Sequence, residues 1–262
     1  MKTTHAISVK AGAFAAALAV AGLGAHSASA DEAYVRETVK KMSDFLASQQ
    51  TLSFDLDTNL QVVTADGQKL DIASSASLAV ARPDKVHAIR RGGFASTELV
   101  FDGKTLSIAN LETNTYGQAD FAGGIDQLIT ELRDTYGRPL PAADLLSADV
   151  ADLLLTDVTD VKDLGAGVIR GEVCDHFAFR KADVDFQLWV AQGDTPRPCR
   201  FSVDSVAVAG APSYTIEISN WGKGAATADF AFMAPEGATK VDIKDVTSVD
   251  ELSGIYEVKG AN

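Results

Sequence analysis

Leu52-Ser53-Phe54-Asp55-Leu56-Asp57-Thr58-Asn59-Leu60-Gln61-Val62 decides the fold. Successive side chains on a strand point to opposite faces. Leu52, Phe54, Leu56, Leu60 and Val62 therefore share one face, and Ser53, Asp55, Asp57, Asn59 and Gln61 share the other. A long strand with one apolar and one wet face belongs to an antiparallel sheet covered on one side. Asp66-Gly67 then gives a tight turn, where glycine accepts positive φ without steric cost. Leu70, Ile72, Ala76, Leu78 and Val80 repeat the alternation on the return strand.

The pattern continues outward from this hairpin. Arg82-Pro83 breaks the pairing, and strands are predicted over Lys85–Arg91, Thr97–Phe101, Lys104–Ala109 and Asn114–Ala119, with Asp102-Gly103 as a turn. Two helical stripes follow. Ile125, Leu128, Ile129, Leu132 and Tyr136 form one, and Leu145, Leu146, Val150, Leu153 and Leu154 the other, separated by Arg138-Pro139-Leu140-Pro141. Strands return at Val168–Arg170, Cys174–Lys181, Val184–Val190, Cys199–Val208 and Ser213–Trp221, with a short last one at Phe230–Phe232. Asp157, Asp160 and Asp163 read as solvated loop residues. Before the hairpin, Val35, Val39, Met42 and Leu46 stripe a helix over Asp31–Gln50. The predicted class is α+β: a strongly curved antiparallel half-barrel covered on its concave side by helices, because so long an apolar face cannot stay in water. No repeat or linker divides residues 31–262, so a single domain is expected, with a helical insertion at about 123–156.

The first thirty residues read as an export signal. Lys2, His5 and Lys10 give a basic start, Ala11–Ala25 is small and apolar, and Ala28 and Ala30 suit a signal peptidase. The apolar run falls short of the roughly 20 residues a spanning helix needs. Cleavage after Ala30 and a periplasmic location are expected, with no transmembrane segment left behind. The 262-residue chain carries 36 acidic against 23 basic residues, a net charge of -13. Such a surface disfavours nucleic acid as a partner.

In this order of elements the chain resembles the half-barrel of the periplasmic lipoprotein carriers and their receptors, the LolA, LolB and LppX type. It is more closely similar to a bacterial family of predicted periplasmic proteins, domain of unknown function family 2092. The resemblance rests on Arg82-Pro83-Asp84-Lys85, Phe101-Asp102-Gly103-Lys104-Thr105, Leu140-Pro141-Ala142-Ala143-Asp144-Leu145-Leu146, Cys174-Asp175-His176-Phe177-Ala178-Phe179-Arg180, Asp185-Phe186-Gln187-Leu188-Trp189 and Phe230-Ala231-Phe232 through Gly237. It implies a fold and a compartment. A carrier function follows from it by fold analogy alone.

Enzyme signatures are missing from the chain. His87 and His176 lie on separate strands and make no zinc set, so no metal or cofactor is expected. Cys174 and His176, two apart on one strand, offer at most a thiolate nucleophile without an orienting partner. The competing reading is a Cys174–Cys199 disulfide. Regular pairing puts these cysteines nearly 10 Å apart, two strand spacings of about 4.8 Å, unless a bulge at Pro196-Arg197-Pro198 closes the gap. That choice stays open.

What remains is the apolar face. Leu52, Phe54, Leu56, Leu60, Leu70, Ile72, Leu78 and Val80 in the first half, with Phe101, are candidate lining for a hydrophobic ligand. Phe177, Phe179, Phe186, Leu188, Phe201 and Ile216 continue the lining in the second half. The expected function is a non-enzymatic periplasmic binding protein for a lipid or lipoprotein acyl chain. Arg138-Pro139-Leu140-Pro141 or Gly123-Gly124 would be hinges. The alternatives are a fully packed module that meets an envelope protein through its acidic surface, and a thiol enzyme using Cys174 and His176.

Overall fold

In the computed structural model, which describes residues 27–93, 95–138, 143–223 and 229–246, the deciding hairpin is β1 (Thr51–Val63) and β2 (Lys69–Ala81). Their antiparallel ladder runs unbroken from Thr51↔Ala81 to Val63↔Lys69. β3 (Lys85–Gly92), β4 (Ser96–Phe101), β5 (Thr105–Asn110) and β6 (Thr115–Asp120) meander away on one side. On the other side lie β11 (Ser213–Ser219), β10 (Pro198–Asp204), β9 (Asp185–Ala191), β8 (Glu172–Arg180) and β7 (Asp160–Ile169). β12 (Thr239–Lys240) adds to β6 in parallel. The result is one 12-stranded sheet, in the order β12-β6-β5-β4-β3-β2-β1-β11-β10-β9-β8-β7, curved and unclosed.

Curvature lets a few helices serve so wide a surface. Twelve flat strands would span about 50 Å at a spacing of about 4.8 Å. Here α1 (Ser27–Ser48), α2 (Ile125–Asp134) and α3 (Val150–Leu155) share one apolar core with strands from β5 across the sheet to β8. The face turned away from the helices is polar along β1 and β2, where Ser75 Oγ donates to Asp57 at 2.7 Å and Ser77 Oγ to Asp55 at 2.7 Å.

Several elements differ from the sequence reading. β7 covers Asp160–Ile169, including residues read as loop. It is an edge strand rich in polar residues, bulged between Asp163 and Ala166, and it carries little alternation to betray it. The stripe Leu145–Leu154 divides into a 3-10 turn, Ala143–Leu146, and α3. Asp149 makes the break: its side chain accepts from Asp152 N at 3.0 Å and starts a new helix. β10 ends at Asp204, not Val208, and no strand forms over Phe230–Phe232. The last pairing comes instead at Thr239–Lys240. The sequence expectation for the export signal falls mostly on residues 1–26, and the hinge at Pro139–Pro141 also lies outside the described residues.

The inner sheet face as candidate functional site

Register carries the apolar rows straight across the sheet. Phe54 faces Leu78 and Leu52 faces Val80 on β2, while Leu56 faces Ile218 on β11. Ile216 faces Phe201, Phe201 faces Leu188, and Leu188 faces Phe177. Phe179 and Phe186 stack at 4.6 Å, and Phe186 meets Phe201 at 5.8 Å. On the opposite flank Phe101 faces Val86 and Leu106. All of these side chains lie in one core, and Phe101, Phe177 and Leu188 are 0% exposed.

The helices supply the other wall. Val35, Val39, Met42 and Leu46 of α1 are completely buried, with Leu128 and Leu132 of α2 and Val150 of α3. Burial this complete leaves no water-sized space against Phe101, Phe177 or Leu188. Polar ties also fasten that cover. Tyr34 Oη donates to Asp175 Oδ2 at 2.9 Å, which lifts the Tyr34 pKa above the usual phenol range. Ala151 N donates to Ser43 Oγ at 3.1 Å, and Lys181 Nζ to Leu153 O at 3.1 Å. Arg82 Nη1 donates to Leu146 O at 3.0 Å. Burial lowers the Arg82 pKa, and its Nε and Nη2 find no acceptor among the described residues. Gly124, one of the two glycines expected to hinge the helices, starts α2 and donates its N–H to Gln127 Oε1 at 2.9 Å.

Three of the predicted lining residues sit apart. Leu60, Leu70 and Ile72 are only half-buried and lie outside the main core. A polar seam divides them from it: Thr58 Oγ1 and Ser74 Oγ are 2.6 Å apart, and Arg90 Nε donates to Ser74 Oγ at 3.0 Å. Sequence reasoning passed over this seam. The signal was present, since Thr58 interrupts the apolar series at an inward position and Ser74 is its register partner. Trp221 was missed as well; it packs on Phe54 at 4.7 Å.

The thiol reading is overturned. Cys174 and Cys199 are bridged, with Cα atoms 6.8 Å apart, so Cys174 holds no thiolate. β10 bulges between Pro198 and Arg200, and Cys199 is the extra residue, which brings it within bonding reach of β8. His176 stacks on Trp189 at 4.0 Å and bonds Gln187 at 2.9 Å through Nε2. His87 pairs with Glu98 at 2.8 Å.

A protein-family model matches residues 36–244, from the first turns of α1 past β12. The chain belongs to the DUF2092 family of predicted periplasmic proteins. Among solved structures this DUF2092 protein is similar to the Mycobacterium tuberculosis lipoprotein LppX, at 15% identity and a TM-score of 0.40, over 76% of this chain and 100% of that one. It is similar to LprF from Mycobacterium bovis at 11% identity and a TM-score of 0.46, over 79% and 98%. A LolA superfamily protein from Nitrosomonas europaea matches at 12% identity and a TM-score of 0.32, over 71% and 91%. No curated protein matches. Among the described residues no helix is long and apolar enough to cross a membrane.

Proposed function

We propose that this DUF2092 protein is a non-enzymatic periplasmic binding protein, a single half-barrel domain over residues 31–262 released by cleavage after Ala30. Its ligand is a lipid or lipoprotein acyl chain, taken up between the inner sheet face and the helices. The observation that supports this most is the continuous apolar inner face, from Phe101 to Phe179, roofed by the 22-residue α1 and by two short helices. α2 has 10 residues and α3 has 6, too few to be stable alone, so the sheet holds them in place. Such a roof can lift without breaking the ladder below it. Where the inner face is sealed, at Phe101, Phe177 and Leu188, uptake displaces helices.

Lipid extraction and native mass spectrometry of the mature protein from its own envelope test the reading. Co-purified lipid, on a chain beginning at Asp31, is the expected result. A ligand-free protein that also takes up no hydrophobic dye contradicts it. It would favour the second reading, a packed module that meets an envelope protein. One observation speaks for that module: β7 is an open sheet edge on which Val168 is 67% exposed.

A further inference from the structure

The sheet parts at one seam. β11 stays paired to β1 as far as Asp55↔Ser219, but its ladder with β10 stops at Arg200↔Glu217. The residues of β10 that would continue that ladder are Cys199 and Pro198. Cys199 is instead bulged out and bonded to Cys174 on β8, and Pro198 follows β9. Ile218 and Ser219 thus lack a strand partner on that side. The β7–β8 turn closes over the gap, and Arg170 at its tip reaches Asp57 on β1 at 3.0 Å. A cavity of about 520 Å³ fills the cleft, with Ile169, Ile218, Trp221 and Cys199 among its apolar lining and Arg170 and Arg197 as its cations. This volume lies within the range of small-molecule sites, about 300–1,000 Å³.

Two features make the cleft suited to an anion, unusual in a chain of net charge -13. Arg197 lines the cleft with a guanidinium whose Nη2 donates to Glu172 Oε1 at 2.6 Å, a carboxylate that is 41% exposed and open to exchange for another anion. The Arg170–Asp57 pair is about half exposed on both sides, so it contributes little and is readily exchanged for another carboxylate or phosphate.

We propose that this cleft binds a single-chain amphipathic anion, its hydrocarbon against Ile169, Ile218 and Trp221 and its carboxylate or phosphate ester on Arg170 and Arg197. The site borders the inner face at Ile218 and Trp221, but its head-group cation Arg170 pairs with Asp57 on the opposite face of the sheet, so substitutions at Arg170 test it apart from the inner-face reading. Trp221 lines the cleft and reports on it. The mature protein is titrated with dodecanoate, dodecyl phosphate and dodecanol below their aggregation limits, with tryptophan emission as the readout. Both anions are expected to bind saturably and more tightly than the alcohol; whichever binds tighter identifies the head group.

Arg170→Gln and Arg197→Gln should each weaken the anions about tenfold, the size of one charge-assisted hydrogen bond, and leave dodecanol unchanged. Glu172→Gln should act in the opposite sense and tighten the anions, because it removes the carboxylate that competes for Arg197. Trp221→Phe should erase the emission change even though Trp189 remains. Arg170 is exposed, so its variant folds whether or not Arg197→Gln does. The proposal is overturned by anion affinities unchanged in Arg170→Gln, by weaker binding in Glu172→Gln, or by a full signal in Trp221→Phe.

Discussion

Asp102 shows how a single side chain sets a turn. Its Oδ1 accepts from Thr105 N at 2.8 Å and Lys104 N at 2.9 Å, and these bonds, Thr105 first, hold its carboxyl below the usual carboxylate range. A lowered folded pKa means that ionised Asp102 favours the folded chain at neutral pH, and that this benefit fades as pH falls through the lowered pKa. Asp102→Asn should therefore be less stable than the native chain at neutral pH. The gap should narrow on acidification, as followed by urea unfolding at a series of pH values; a gap that is constant down to acid denaturation would contradict the assignment. Gly103 beside it has φ +93°, and a Cβ there would come within 2.6 Å of Asp84 Oδ2. The disulfide acts through the unfolded chain. It joins cysteines 25 positions apart, and replacing both by alanine should cost about 2–4 kcal/mol of unfolding free energy. Unfolding midpoints that do not change on reduction would refute that figure.

Among the elements, the long strands were legible in the sequence and the edges were not. β1 and β2 alternate cleanly because one face meets the core and the other meets water; Leu52, Phe54, Leu56, Leu78 and Val80 follow from that pattern, whereas Leu60, Leu70 and Ile72 obey it and still lie outside the core. Most of β7 escaped, all but its end at Val168, because an edge strand has no second neighbour to demand apolar side chains, and Asp160, Lys162 and Asp163 look like loop. The inner-face residues were readable as a group, but their packing was not, since alternation reports which way a side chain points and not what lies against it. The disulfide depended on a bulge, which the prolines at Pro196-Arg197-Pro198 made conceivable and which falls at Cys199. β6 shows what backbone proximity adds: a Cβ on Gly117 would stand 2.3 Å from Ile243 Cα, so the 3-10 turn Ile243–Asp245 rests directly on this strand. Gly117→Ala should push the turn away and cost about 1–3 kcal/mol, with faster amide exchange at Ile243. Unchanged exchange there would mean that the contact is dispensable.

For the whole molecule, the central claim is that a curved, unclosed sheet offers its apolar inner face to a greasy guest when the helices lift. A fatty acid bearing a diazirine near its methyl end reports that contact directly. It is photolysed with the mature protein, and the labelled positions are mapped by mass spectrometry. Labels are predicted on the inner rows of β8 to β10, at Phe177, Phe186, Leu188 and Phe201, and on the facing stripe of α1. Labels confined to the β7–β8 side of the cleft at Ile169, or no label on those inner rows at saturating ligand, would contradict the account.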